Sequence, residues 1–152
     1  HPVGRRPVDG GNADAGFVCA DMEDYIRTAN RERFVIVQIE DPEPLAELED
    51  ICALPGIDMI FFGPADFSQG IGKPFCFHAP ELTETRRRIA ETARRHGKFA
   101  GTVGSVGDFA DLAAMGYQFI NIGADVVALH EYNKRIIDGI PASLRRGRED
   151  GK

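Results

Sequence analysis

Two acidic side chains, Glu40 and Asp66, follow two short apolar runs of the sequence, 34–39 and 57–62. Both runs are typical of buried strands, and adjacent strands of a sheet lie about 4.8 Å apart. In α/β proteins the carboxyl ends of the strands form the ligand-binding edge. Two carboxylates at that edge can share one hard divalent cation, which takes oxygen ligands and keeps several waters. In the alternative interpretation, Glu40 is a charge at a strand end and Asp66 caps the N-terminus of a helix next to Ser68.

A tetrapeptide after the second run has the residues expected of a turn that holds a small carboxylate. The glycine lets the backbone come close to a ligand, and the amides that follow can point at an anion. The candidate substrate-binding residues of this turn are Gly63, Pro64, Ala65 and Asp66. Within it, the N–H groups of Ala65 and Asp66 are the expected donors.

Gln38 should point to the same side of its strand as Glu40, because side chains alternate along a strand. It is either a polar helper in the same site or the donor of an interior hydrogen bond. The four histidines show no HxH or HxxxH spacing, so the sequence does not favour zinc. The three cysteines form no CxxC pair, which favours reduced thiols and a cytoplasmic protein.

The order of the predicted elements is a loop and a helix followed by four βα units. The loop covers 1–16, and the helix covers 20–33. Strands are predicted at 34–39, 57–62, 98–103 and 118–122, and helices at 45–54, 80–96, 109–115 and 125–137. A long loop is expected at 65–79, and a charged tail at 139–152.

Alternating strands and helices predict parallel βαβ units and an α/β fold. Four consecutive units make up half of a (β/α)8 barrel, and the alternative is a small open doubly wound sheet. No GxGxxG or GxxxxGK[ST] segment follows the first strand, which argues against a nucleotide-binding fold.

Length and charge set further bounds on the function. The chain has 152 residues, enough for a single domain over 1–152, whereas a complete barrel takes about 250. The formal net charge of −6 argues against a nucleic-acid partner. No apolar run approaches the roughly 20 residues of a membrane span, and no signal-peptide core is visible, so we expect no membrane partner.

Three motifs together resemble the HpcH/HpaI aldolase family, which includes relatives of the citrate lyase β-subunit type. They are VQIE at 37–40, LPGID at 54–58 and FGPADFS at 62–68. Two later segments, GKFAG at 97–101 and GYQFINIGAD at 116–125, look like the last two strands of that family. The resemblance covers roughly residues 2–138.

The resemblance implies a metal-dependent aldolase or lyase that cleaves or forms a C–C bond next to pyruvate or a related 2-oxo acid. Family members are (β/α)8 barrels, so this chain resembles the C-terminal half. Glu40 and Asp66 then act in catalysis by binding Mg²⁺, Mn²⁺ or Co²⁺, a Lewis acid that stabilises an enolate. The backbone after Gly63 and Pro64 binds the carboxylate of the small-molecule substrate.

The chain also departs from the family. The family's first half, about 100 residues, supplies an Arg and a His-containing dyad that acts as the base, and no residue here matches them. The loop 69–78 (QGIGKPFCFH) differs from the polar, Gly- and Asn-containing stretch usual in the family. Two alternatives to an aldolase therefore stand: a half-barrel that binds metal and 2-oxo acid without turnover, and a structural half-barrel. In each case we expect a homo-oligomer or completion by an N-terminal half.

Overall fold

A computed structural model describes residues 4–5, 8–18, 21–141 and 144. Its strands are β1 (Ile36–Ile39), β2 (Met59–Phe62), β3 (Phe99–Gly104) and β4 (Phe119–Ile122). Its helices are α1 (Met22–Glu32), α2 (Leu48–Ala53), α3 (Pro64–Gly70), α4 (Pro80–Arg95), α5 (Phe109–Met115) and α6 (Asp125–Gly139). Short 3₁₀ helices cover Ala13–Val18 and Glu43–Glu47. None of the helices in these ranges is long and apolar enough to cross a membrane.

The four strands form one parallel sheet in the order β1-β2-β3-β4. Each strand therefore pairs with the next one along the chain, as in a barrel, and the order never reverses as it does in a doubly wound sheet. The prediction of four consecutive βα units is confirmed, and the open doubly wound alternative is wrong.

The hydrophobic core lies between the sheet and one layer of helices. Ile39 of β1 and both Ile60 and Phe62 of β2 point into this layer and are buried. The residues that meet them come from the helices and the segments beside them: Leu48, Cys52, Phe67, Leu82, Ile89, Ala90, Ala93 and Leu112. Since strand side chains alternate, every second residue of each strand points away from the helices.

The opposite side of the sheet is uncovered, and we call it the open sheet face. Its apolar residues are Ile36, Met59, Phe61, Phe99, Val103 and Phe119, of which Met59 is buried. Phe61 and Phe119 pack edge to face with centroids 6.2 Å apart, yet Phe119 remains 45% exposed. The prediction that β1 is buried on both faces is therefore wrong, because β1 is an edge strand and nothing in the described residues covers its second face.

Several predicted boundaries change. The predicted loop 65–79 begins as α3, because Pro64 suits a first helical turn and Phe67 packs on Phe62 with ring centroids 5.2 Å apart. The predicted lead-in loop 1–16 overlaps the 3₁₀ helix Ala13–Val18. The predicted helix 45–54 divides into the 3₁₀ helix Glu43–Glu47 and α2.

The two terminal helices lie outside the main core. Ala29 is the buried residue of α1, and α6 buries none of its residues. Asp21 caps α1 by accepting hydrogen bonds from the amides of Glu23 and Asp24, at 2.9 and 3.1 Å. Most of the predicted charged tail 139–152 lies outside the described residues.

Candidate metal and carboxylate site

The carboxyl ends of β1 and β2 are hydrogen-bonded to each other, directly before the candidate site residues Glu40 and Gly63. Ile39 is the register partner of Phe62, and the amide of Gly63 donates to the carbonyl of Ile39 at 2.9 Å. The next residues of the two strands, Glu40 and Gly63, therefore leave the sheet side by side. The expectation that the two motifs occupy neighbouring strand ends is confirmed by this pairing.

Gln38, Glu40 and Gly63 form one compact group. The side-chain amide of Gln38 donates a hydrogen bond to Oε2 of Glu40. A Cβ built at Gly63 would lie 2.9 Å from Nε2 of Gln38 and 3.0 Å from Cβ of Glu40. The glycine is thus required by close approach, since its φ of −95° is open to other residues. The hydrogen bond from Gln38 to Glu40 fits both roles that the sequence left open for Gln38, a polar helper in the site and a plain hydrogen-bond donor.

The rest of the tetrapeptide forms the first turn of α3. Gly63 occupies the N-cap position, Pro64 is buried, and Ala65 and Asp66 are exposed. The amide of Phe67 donates to the carbonyl of Gly63 at 3.1 Å. This is the first backbone hydrogen bond of the helix. The amides of Ala65 and Asp66 lie before Phe67 in the chain, so they have no acceptor within the helix.

The alternative capping role of Asp66 is corrected by the structure. Asp66 is not the N-cap of α3, because Gly63 holds that position. The carboxylate of Asp66 lies three residues further into the helix than a capping side chain can lie.

The donor set suits a hard cation that keeps other oxygen ligands. Within the described ranges, no group of three or more His, Cys, Asp or Glu side chains could hold a metal ion. Glu40 is half-buried and Asp66 is exposed, so protein oxygens would come from these two carboxylates, with water and substrate completing the shell. The residues fit Mg²⁺-type coordination and do not fit a closed zinc site.

Two buried hydroxyl groups support this edge of the sheet and were not singled out from the sequence. Thr102 of β3 donates to the carbonyl of Phe62 at 3.1 Å, immediately before Gly63. Ser68 of α3 donates to the carbonyl of Ala65 at 2.6 Å. The three-residue spacing from Ala65 to Ser68 in a helix is the signal that could have revealed the second bond.

Comparison with known proteins gives the family. The model of the HpcH/HpaI aldolase/citrate lyase family matches residues 13–131. The chain belongs to this family. The resemblance carried by the three motifs is therefore confirmed, and the half-barrel belongs to a family with a TIM-barrel fold.

The HpcH/HpaI relatives include named aldolases. The chain is 37% identical to a hydroxypyruvate/pyruvate aldolase of Delftia acidovorans, over 86% of this chain and 48% of the relative. It is 32% identical to a 2-keto-3-deoxy-L-rhamnonate aldolase of Klebsiella pneumoniae, over 83% of this chain and 47% of the relative. The chain thus spans about half the length of these relatives.

A solved HpcH/HpaI structure has the same arrangement of elements. The crystal structure of a family protein from Burkholderia cenocepacia superimposes with a TM-score of 0.76 at 29% identity. The match covers 89% of this chain and 52% of that protein. The four-stranded sheet described above is therefore similar to one half of a family barrel.

Proposed function

We propose that this chain is the metal-binding and carboxylate-binding half of an aldolase or lyase that acts on pyruvate or a related 2-oxo acid. Membership of the HpcH/HpaI family and the named aldolases among the relatives support the reaction class. The observation that carries the proposal is the close packing of Gly63 against Gln38 and Glu40, which brings the turn 63–66 next to a half-buried carboxylate.

Glu40 and Asp66 are the residues that would hold Mg²⁺, Mn²⁺ or Co²⁺. When bound, such a cation supplies Lewis-acid stabilisation of the negative charge that develops on the oxygens of the 2-oxo acid. Gln38 donates to Oε2 of Glu40 and so fixes the direction of that carboxylate. A ligand held by its carboxylate at the next turn would face the same edge of the sheet.

The first turn of α3 would orient the substrate. The amides of Ala65 and Asp66 are the donors of this turn, and Gly63 allows the turn to lie directly against Gln38 and Glu40. Backbone amides arranged in this way suit a carboxylate, since each donates one charge-assisted hydrogen bond. This is the role that the sequence predicts for Gly63, Pro64 and Ala65.

Turnover would depend on groups from outside the four βα units. The chain spans 48% of its Delftia acidovorans relative, so an N-terminal half or another chain would supply the general base and the Arg that the family resemblance implies. The second candidate function is binding of cation and 2-oxo acid without turnover. It is favoured because no residue of this sequence matches the Arg and the His-containing dyad that the family resemblance implies.

The metal site is tested by titrating Mn²⁺ into the chain and into the variants Glu40→Gln and Asp66→Asn. Each variant should bind Mn²⁺ at least tenfold more weakly, because one of two protein ligands loses its charge. Asp111→Asn is the matched control, since Asp111 also lies in the first turn of a seven-residue helix that follows a strand. Unchanged affinity in either site variant would refute the shared site.

The two candidate functions are separated by an activity assay. The chain is supplied with Mn²⁺ and with oxaloacetate, or with pyruvate and an aldehyde. Binding of Mn²⁺ and oxalate without product formation supports the binding function, and product formation that Glu40→Gln abolishes supports the aldolase or lyase.

A further inference from the structure

Ser68 lies inside α3 and forms two hydrogen bonds with its hydroxyl group. The side chain is fully buried. Its Oγ donates to the carbonyl of Ala65 at 2.6 Å and accepts from the amide of Phe75 at 2.8 Å. The single hydroxyl proton is therefore directed at Ala65, because the Phe75 amide approaches a lone pair of the same oxygen.

The carbonyl of Ala65 and the amide of Asp66 belong to one peptide group. A peptide group is planar and trans, so its C=O and N–H point in opposite directions. A hydrogen bond that fixes the carbonyl oxygen fixes the direction of the N–H as well. Ser68 thus holds, from inside the protein, the amide that faces the carboxylate in the proposed function.

We propose that Ser68 is a positioning residue for substrate binding: its hydroxyl group orients the Ala65–Asp66 peptide so that the Asp66 amide meets the carboxylate of a 2-oxo acid. The proposal rests on the proposed function of this turn. The hydrogen bonds run in one direction, from the Phe75 amide through Ser68 to Ala65, and each bond polarises the next donor. The Asp66 amide is therefore a better donor with Ser68 in place.

The loop that follows α3 places the Phe75 amide where it donates to Ser68. Phe75 has a φ of +59°, a conformation that a bulky residue rarely adopts. The amide of Lys73 donates to the carbonyl of Ser68 at 2.8 Å, and the rings of Phe75 and Phe77 pack edge to face at 5.9 Å. These contacts hold the strained backbone in place, so the loop 71–77 and the carboxylate-binding turn are mechanically linked through Ser68.

The test compares two buried hydroxyl groups that can be removed at nearly constant volume. Ser68→Ala removes the proposed positioning group. Thr92→Val removes the hydroxyl of Thr92, which is buried near the far end of α4 and accepts from Arg95 at 3.1 Å. Ser68→Thr keeps the hydroxyl group and serves as the rescue variant.

Isothermal titration is carried out first with Mn²⁺ and then with oxalate on the Mn²⁺-loaded chain. Ser68→Ala should leave Mn²⁺ affinity within about twofold and weaken oxalate binding about tenfold, the loss expected for one hydrogen bond to a charged group. Ser68→Thr and Thr92→Val should bind oxalate like the original chain. Equal oxalate affinity in Ser68→Ala, or an equal loss in Thr92→Val, would overturn the proposal.

A measurement without ligand keeps this inference separate from the proposed function. Amide NMR of the ligand-free chain should show a shifted Asp66 amide proton and faster hydrogen exchange at Phe75 in Ser68→Ala, and neither change in Thr92→Val. If the original chain binds no Mn²⁺ or oxalate, the proposed function fails and the proposed role in substrate binding fails with it, while the spectra still report whether Ser68 orients the peptide. If Mn²⁺ and oxalate bind but the Asp66 amide does not move in Ser68→Ala, only the positioning role is wrong.

Discussion

Gly63 lies so close to Glu40 that a Cβ added to the glycine would stand 3.0 Å from the Cβ of the glutamate. That separation is shorter than nine in ten real contacts of a Cβ atom, so Glu40 would have to shift by a few tenths of an ångström. The two residues follow paired positions on β1 and β2, and the amide of Gly63 is already bonded to Ile39. A side chain at position 63 would therefore displace the candidate metal ligand.

Gly63→Ala should weaken Mn²⁺ binding by about tenfold while the far-UV circular dichroism spectrum stays unchanged. The added methyl group pushes Nε2 of Gln38 and Cβ of Glu40 away, and the carboxylate leaves its position at the strand end. Gly139→Ala is the control, because a Cβ there meets nothing within 4 Å. Mn²⁺ affinity equal to that of the original chain would show that Glu40 tolerates the displacement.

The isolated chain should associate in solution. The open sheet face exposes Phe99 and Phe119 by 54% and 45%, and α6 also exposes apolar residues such as Leu129 and Ile136. Covering apolar surface stabilises by about 25 cal/mol per Å². Within the described part of the chain, the outer edges of β1 and β4 pair with no further strand and offer backbone groups to a partner. Sedimentation velocity at micromolar concentration should show a species larger than the 16.7 kDa chain.

A pair of charged variants locates the surface that drives association. Phe119→Asp places a charge on the open sheet face and should shift the chain toward smaller species. Phe109→Asp changes an equally exposed phenylalanine on α5, away from that face, and should leave sedimentation unchanged. A single 16.7 kDa species with a cooperative thermal transition in the original chain would contradict the prediction.

The contact between α2 and the end of α4 should weaken in acid. The pKa of Glu49 lies below its ordinary value of 4.5 because His96 hydrogen-bonds to the carboxylate at 2.8 Å and Arg95 lies beside it. A carboxyl group whose pKa is lowered by folding stabilises the protein above its unfolded pKa, and this contribution disappears as the pH falls through the folded pKa. The stabilisation is therefore present at neutral pH and is lost below about pH 4.5.

Glu49→Gln should lower the urea midpoint slightly at about pH 6, and this difference should shrink as the pH falls from there through the lowered pKa of Glu49 and the carboxylate of the original chain becomes protonated. The effect is small because the pair is exposed and screened by solvent. Asp50→Asn, which removes a charge from the same helix α2, is the control variant. A difference that stays constant over this range would exclude a contribution from ionised Glu49.

Tyr117→Phe should destabilise the chain by about 1 kcal/mol, the usual net value of one buried hydrogen bond. The buried Tyr117 hydroxyl group donates to the backbone carbonyl of Arg86 at 3.0 Å, and burial raises the pKa of this tyrosine. Tyr132→Phe, on an exposed position of α6, should leave stability within about 0.5 kcal/mol. Urea unfolding curves of the two variants measure whether the Tyr117 hydrogen bond contributes to the free energy of unfolding.

The element order follows from local sequence patterns. The apolar run 57–62 contains β2, and Gly116 ends α5 with a φ of +104°, as a glycine after a helix predicts. The helix predicted at 80–96 and the strand predicted at 98–103 likewise lie within a residue or two of α4 and β3. These features depend on neighbours within a few positions along the chain, so the sequence alone suffices to predict them.

The environment of the elements depends on distant parts of the chain. The run at 34–39 is as apolar as 57–62, yet β1 is largely exposed because it is an edge strand and no described residue covers its second face. β4, at the other edge of the four-stranded sheet, is largely exposed as well. An apolar pattern shows that a strand can be buried, and only the tertiary structure shows which neighbours are there to bury it. Helix α3 was predicted as loop for a similar reason, since its position depends on packing against Phe62.

The features of the candidate site also fall into those that the sequence predicts and those that only the tertiary structure shows. The sequence by itself determined the family, the candidate ligands Glu40 and Asp66, and the glycine of the turn between them. The tertiary structure alone decided that Gln38 donates to Glu40, that Gly63 lies against both, and that Ser68 links Ala65 to Phe75. Residue types and motif spacing specify which groups are available for chemistry, whereas hydrogen-bond direction and close approach arise only when the ends of separate strands and loops are brought together.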